Sequence, residues 1–433
     1  MIVEFSVENF RSIKEMQTLS FQATGLKSPE EFSIVDKNNI ETECGIRLLK
    51  TVGLYGANGS GKSNIVRALD YFLRAIKKEP SSESNLSSLC DPFLYQDDAT
   101  ETASFFQIIL IISNRKYRYG FTVKKNKDYT GQANSSKEIV EKEWLYATKE
   151  INAVRSFLRE GLSLTSESNT EQEKIPPIPY AHSLYLTHEA AFNSDSSSAI
   201  IRNYFKGWTL SNIVNEFETF RYNTIRFIEK ENGKNKFLEL LAAFNLQYDD
   251  IIIDRDDKSV QAILPHDKIL LKKNFINHNN ETVDINLNLA KTESSGTQRL
   301  FDIVGVLLRE FSQEFGAFLI IDEVDSNFHP ALLIKIISLF NDPTVNKSKM
   351  QLLFTSHDTN LMSPEIMRRD QFYFTEKKED NSTRLYSLSD MKGVRNDADF
   401  ARQYLKGYYG AIPLFDNYIQ MQSNSQPDGT LAS

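Results

Sequence analysis

Leu49-Lys50-Thr51-Val52-Gly53-Leu54-Tyr55 runs directly into Gly56-Ala57-Asn58-Gly59-Ser60-Gly61-Lys62-Ser63, and this one stretch decides the fold. The octet has the spacing of a phosphate-binding loop, closed by a lysine and a hydroxyl residue. The residues before it read as a buried strand. Behind it, Ile65, Leu69, Phe72 and Ile76 recur at three- and four-residue spacing, which predicts a helix with one apolar face. Small residues let the backbone amides curl around phosphate oxygens at a helix N-terminus, where the dipole favours negative charge. Lys62 is expected to reach the β- and γ-phosphates of a nucleoside triphosphate, and the Ser63 hydroxyl to bind Mg2+.

Composition sets the frame. At 433 residues the chain is expected to form two or three structural units. Its 40% hydrophobic and 25% charged residues are those of a globular protein. No apolar run approaches the roughly 18 residues that cross a bilayer. Met1-Ile2-Val3-Glu4-Phe5 lacks the pattern of an export signal, so a cytoplasmic location and no membrane partner are expected. Cys44 and Cys90 show no metal-ligand spacing and read as reduced thiols. The net charge of −8 opposes indiscriminate nucleic-acid binding. The basic runs Lys124-Lys125-Asn126-Lys127 and Arg368-Arg369 read as solvated faces or turns. DNA stays open as a partner without being argued for.

Three parts follow along the chain. Residues 1–124 form an α/β lobe: an alternating strand at Val3, Phe5 and Val7, the loop strand and helix, and a hairpin from Phe105–Ile112 and Tyr117–Val123. Residues 125–285, rich in turns, read as an insertion or arm of mostly helical character. Residues 286–420 return to order, with a helix over Thr297–Phe311, buried strands at Phe318–Ile321 and Leu352–Thr355, and a helix over Pro330–Phe340. The polar residues 421–433 are expected to be disordered. The fold class is therefore α/β: a P-loop NTPase head with a mixed sheet flanked by helices, an antiparallel β lobe, and the helical insertion.

A second constellation lies beyond the insertion. Phe318-Leu319-Ile320-Ile321-Asp322-Glu323 is an apolar strand that would deliver two carboxylates to the crevice at the sheet's carboxyl edge. Asp322 is expected to hold Mg2+ and Glu323 to polarise the attacking water. Glu293-Ser294-Ser295-Gly296-Thr297-Gln298 opens a helix whose hydroxyl and bare amides suit a γ-phosphate, though such a start is usually only a cap. Asp325 follows the acid pair, and His357 ends the Leu352–Thr355 strand within reach of a γ-phosphate or water.

Together these motifs resemble the ABC-type ATPases of the SMC, RecF and OLD-like group. The resemblance covers about 1–124 and 286–415. It implies roles in nucleotide binding for Gly56, Asn58, Gly59, Ser60, Gly61, Lys62, Ser63 and Asn64, in a Walker A loop. It implies a signature at Ser294 and Gly296, a Walker B pair at Asp322-Glu323, a D-loop at Asp325 and a switch histidine at His357. Val7-Glu8-Asn9-Phe10-Arg11-Ser12 is similar to the opening of the group, where the arginine, here Arg11, lies near the phosphates. Gln96 is the candidate for the glutamine that the group places at the metal. The signature departs from the usual Ser-Gly-Gly-Gln, because Ser295 and Thr297 are substitutions. The Asp322–Pro330 stretch is similar to the OLD-like branch of the group, and Glu143-Trp144-Leu145-Tyr146 and the Tyr404–Pro413 tail resemble the RloA/AbiLi-type ATPases of bacterial phage defence. The residues after His357 lack the Glu and Asp-x-Asp arrangement of a TOPRIM nuclease, so no nuclease is expected within this chain.

The resemblance further implies ATP and Mg2+ as ligands and a homodimer or higher homo-oligomer in which two heads sandwich the nucleotide. Ser294 and Gly296 of one head would face Lys62 of the other. Catalysis would rest on Lys62, Glu323 and His357. The leading expectation is an ATPase switch that controls a separate effector, a nuclease or toxin, in antiphage defence. The alternatives are a RecF-like ATP-dependent DNA clamp and a non-catalytic scaffold that binds ATP to oligomerise. A transporter subunit fits least, given the large insertion.

Overall fold

The computed structural model describes residues 1–97, 99, 101–131, 136–149, 152–166, 176–206, 217–254, 268–312, 318–326 and 328–413. The loop strand β5 (Thr51–Gly56) lies in the middle of a five-stranded sheet ordered β14-β15-β5-β16-β17, with β14 at Phe318–Ile321, β15 at Gln351–Thr355, β16 at Phe372–Lys377 and β17 at Thr383–Ser387. The first four run parallel, and β17 pairs antiparallel at the edge. Every residue of β5, β14 and β15 is buried, as uninterrupted apolar strands covered on both faces must be. Helix α1 (Lys62–Lys77) follows the loop and buries Ile65, Leu69, Phe72 and Ile76, the four positions that the spacing picks out.

A second, antiparallel sheet of seven strands is ordered β10-β9-β8-β7-β6-β1-β2. It comprises β1 (Ile2–Glu8), β2 (Gln17–Ser20), β6 (Ser104–Ile112), β7 (Arg115–Lys125), β8 (Glu138–Lys149), β9 (Asn152–Glu160) and β10 (Ser163–Ser166). Helix α1 packs against it through Phe72, whose ring stands 5.6 Å from Phe5, 5.3 Å from Phe121 and 6.4 Å from Phe106. Gln351 ties the two sheets together. Its amide accepts from Ile2 N at 2.6 Å and donates to Ile2 O and Leu49 O, all out of solvent. A short hairpin of β3 (Ile40–Glu43) and β4 (Ile46–Leu49) leads into β5.

The helical character expected of residues 125–285 holds only in part. Helices α2 (Tyr185–Phe192), α3 (Ser197–Lys206), α4 (Phe217–Ile228) and α5 (Gly233–Ala243) are present, but β8, β9 and β10 extend the seven-stranded sheet straight through the expected boundary at 124. Strands β11 (Asp250–Asp254), β12 (Lys268–Ile276) and β13 (Thr282–Asn288) make a third sheet. The strands were hidden because charge occupies core-facing positions. Glu143 and Arg159 are both fully buried and pair at 3.3 Å across β8 and β9. Glu143 also accepts from Tyr119 Oη and from Tyr185 N and Leu186 N at the start of α2. A strand whose inward residue is an acid shows no clean alternation. The Lys124 run straddles the end of β7, where Lys124 pairs with Glu141 at 2.6 Å. Arg368 differs from expectation: it is buried between Asp36 and Asp370 rather than solvated.

The third part of the chain supplies α6 (Ser295–Phe311), α7 (Pro330–Asn341) and α8 (Phe400–Leu405). Pro330 opens α7 at a position where its missing N–H costs nothing, and His329 Nδ1 accepts from Ala331 N. The tail 421–433 and Asn327 lie outside the described residues. Cys44 is exposed, Cys90 is buried, and both are free thiols. Among the described residues, no helix is long and apolar enough to cross a membrane.

Candidate active site

Parallel strands end on the same side, so β5, β14 and β15 deliver the loop, the acid pair and His357 to one edge. The loop can close only with glycine at two positions. Gly56 (φ 148°) and Gly61 (φ 110°) hold backbone angles that side chains rarely adopt. A Cβ on Gly56 would stand 2.7 Å from Thr375 Oγ1 and 2.8 Å from Ser60 Oγ, and one on Gly61 would stand 2.7 Å from Thr383 Cγ2. Asn58 and Gly59 are exposed at the loop's crest, while Ser60 is buried at its base.

A chain of hydroxyls anchors that base. Ser60 Oγ meets Thr375 Oγ1 at 2.6 Å, Thr383 Oγ1 donates to Ser60 O at 2.9 Å, and Ser12 Oγ lies 2.7 Å from Thr383 Oγ1. Asn64 Nδ2 donates to Ser12 Oγ at 2.8 Å, so Asn64 braces the first turn of α1. Thr375 and Thr383 carry no motif of their own. Only the pairing of β16 and β17 beside β5 brings the two threonines in.

Lys62 Nζ donates to Gly56 O at 2.7 Å and Ala57 O at 3.1 Å. Burial lowers its pKa, and the carboxylates of Asp322, Asp325 and Glu323 act in the opposite sense. The lysine therefore stands within the field of all three acids. Thr355, fully buried on β15, fixes the acid pair: its Oγ1 donates to Asp322 Oδ1 at 2.6 Å and accepts from Glu323 N at 2.7 Å. Glu323 takes a left-handed backbone (φ 51°), which such a bond can hold, and its side chain is exposed. Asp325 Oδ2 accepts from His357 N at 3.0 Å, and Asp325 Oδ1 is buried without a partner among the described residues. Burial and then the charge of Lys62 push the His357 imidazole below its usual pKa, against the three acids. It is a neutral hydrogen-bonding group at pH 7.

Lys62, Asp322, Glu323, Asp325 and His357 thus share one locality, although the acids and the histidine follow the lysine by more than half the chain. The other candidates make contacts of their own. Arg11 (φ 52°) pairs with Asp91 at 2.9 Å, its guanidinium 5.7 Å from the Tyr71 ring on α1. Gln96 donates to Asn9 Oδ1 at 3.0 Å, and Asn9 also accepts from Phe93 N, so the structure gives Gln96 a loop-bracing contact. Ser294 caps α6, its Oγ accepting from Thr297 N at 3.2 Å, and is exposed beside Ser295. The helix behind Ser294 and Gly296 packs on α4 and α5, through Phe301 against Phe237 at 4.8 Å and Thr224 Oγ1 donating to Asp302 O at 2.8 Å.

The donor set suits a hard cation. Ser63 is half-buried on the first turn of α1 and Asp322 has one oxygen held by Thr355, so both of these candidate ligands offer oxygen.

The fold and the site define an α/β P-loop NTPase. The chain belongs to the family described as "AAA domain, putative AbiEii toxin, Type IV TA system", whose model matches residues 52–363. Among solved structures it is similar to the SMC head domain from Thermotoga maritima, at 11% identity and a TM-score of 0.41, over 89% of this chain and 98% of that one. No curated protein matches the chain.

Proposed function

We propose that the protein hydrolyses ATP and uses the cycle to open and close a pair of heads that controls a separate effector. The observation that carries this is the gathering of Lys62, Asp322, Glu323, Asp325 and His357 beside a loop in which Gly56 and Gly61 have no room for a side chain. In this reading the amides of residues 58–63 cradle the phosphates at the N-terminus of α1. Lys62 leaves the carbonyls of Gly56 and Ala57 and turns to the β- and γ-phosphates, which offer it a stronger partner. Glu323 orients the attacking water and accepts its proton, and the neutral His357 hydrogen-bonds the γ-phosphate or that water. Mg2+, held by Ser63 and Asp322, would neutralise charge on the transferring phosphoryl group. Positioning and electrostatics supply most of the rate.

The helix start, exposed at Ser294 and half-buried at Gly296, supports a trans role, with each head clamping the nucleotide of its partner. The γ-phosphate then joins the halves, and its loss releases them. Membership of a family described by a toxin of a toxin–antitoxin system supports a place in defence, where a toxin or nuclease would be the effector. The test is Glu323→Gln. Expected are retained ATP binding, turnover reduced by about 10²–10⁴ and an ATP-dependent shift to dimer by size-exclusion chromatography with light scattering. Turnover equal to the unsubstituted protein removes Glu323 from its role, and an unshifted elution removes the clamp.

A further inference from the structure

Away from the phosphate loop, an open groove of about 1340 Å3 runs between the β3–β4 hairpin and the outer face of the seven-stranded sheet. Cys44 and Ile46 line it from the hairpin, and Arg115, Lys116, Arg118 and Tyr146 line it from β7 and β8. Three of its residues are cations and, among the described residues, none is an acid, on a chain whose net charge is −8. The acids of the neighbouring hairpin are already engaged: Lys349 lies 3.2 Å from Glu41 and 2.9 Å from Glu43. The arginines are held by neutral acceptors instead of carboxylates. Arg115 Nε donates to Thr148 O at 2.9 Å and Arg118 Nε to Gln107 Oε1 at 2.6 Å, which fixes both guanidiniums, and among the described residues neither carries an ion pair. Arg118 and Tyr146 are direct cross-strand partners, with the guanidinium carbon 5.9 Å from the ring centroid.

A planar ring beside a planar cation, flanked by two more positive charges, is a surface for an unpaired base and its phosphates. We infer that this groove binds single-stranded nucleic acid, with phosphates on Arg115, Lys116 and Arg118 and a base stacked on Tyr146. A duplex hides its base faces and would gain only the phosphate contacts. The volume admits about four nucleotides, the low end of single-strand site sizes. The site is separate from the ATP pocket and goes beyond the proposed hydrolysis.

The test is fluorescence anisotropy of the full chain, without ATP, with fluorescein-labelled oligo(dT) and oligo(U) of about 12 nucleotides. Omitting nucleotide keeps the outcome independent of the ATPase reading. Binding is expected, with log K falling against log salt at a slope of about −2 for three phosphates. Replacing Arg115→Glu, Lys116→Glu and Arg118→Glu together is expected to weaken it at least tenfold, and Tyr146→Ala at least fivefold. A triple glutamine variant at the same positions, matched to the parent by melting temperature, controls for folding and should also lose the salt slope. Absence of binding at low salt, or equal binding by the parent and the glutamine variant, overturns the proposal. So does binding of an oligoglutamate peptide where the oligonucleotides do not bind, since the groove would then dock an acidic protein.

Discussion

Replacing Thr355 with valine removes two hydrogen bonds at once while nearly preserving shape, because valine puts a methyl where the hydroxyl stood. The lost partners are the Asp322 carboxylate, at 2.6 Å, and the Glu323 amide, at 2.7 Å, both gathered by a hydroxyl with no solvent access. A bond to a charged acceptor contributes about 1.5–3 kcal/mol and one between neutral groups about 1 kcal/mol. Thr355→Val should therefore lower unfolding free energy by about 2–4 kcal/mol. The effect on turnover is separate. Glu323 has a left-handed backbone and an exposed side chain, so the bond from its own N–H is what fixes its aim. Freed of it, Glu323 should lose about 10²-fold in kcat, the lower end of what a positioned base contributes, while any rise in KM for Mg-ATP reports the freed Asp322, since Lys62 and the loop are untouched. Thr355→Ser keeps the hydroxyl and should recover most of the turnover. Urea unfolding and a phosphate-release assay on the three proteins read the two effects independently. If the valine variant is destabilised yet turns over ATP at the original kcat, Thr355 is a core residue and the positioning argument is wrong.

Three further expectations follow from the geometry. Gly61→Ala places a Cβ 2.7 Å from Thr383 Cγ2 at a φ of 110°, so binding of a fluorescent ATP analogue should weaken more than tenfold; unchanged affinity would show that the loop tolerates a side chain there. Glu143→Ala strips a fully buried arginine of its carboxylate and two α2 amides of their acceptor, and should cost about 3–5 kcal/mol in urea unfolding. A loss below about 1 kcal/mol would mean that water reaches the pair. The His357 ring, followed by NMR, should titrate below the ordinary histidine value of about 6.5. Its midpoint should rise in Lys62→Met, since removing a positive neighbour makes protonation easier; a midpoint unmoved by that substitution would separate the two residues.

The nucleotide side of the fold was legible because its signals are local. Gly56, Gly61, Lys62 and Ser63 are adjacent along the chain, and the helix behind them buries the side chains that the spacing picks out. The Asp322–Glu323 pair was legible for a related reason, since four apolar residues before two acids describe a strand that ends at a site. The supporting residues were not. Thr355, Thr375 and Thr383 are ordinary hydroxyl residues until the strand order places them beside the loop and the acids. The continuation of the antiparallel sheet past residue 124 was hidden by Glu143 and Arg159, whose charges stand where strand alternation calls for apolar side chains. Arg368 misled in the opposite direction, because an adjacent pair of arginines looks solvated until Asp36 and Asp370 close around one of them.

The decisive measurement is phosphate release from Mg-ATP by the purified chain, followed across a wide range of protein concentration. An enzyme whose pocket is completed by a second head should show a rate per chain that climbs with concentration and then levels off, with Lys62→Ala silent throughout. A preparation that releases no phosphate, or one whose Lys62→Ala variant matches it, contradicts the account at its root.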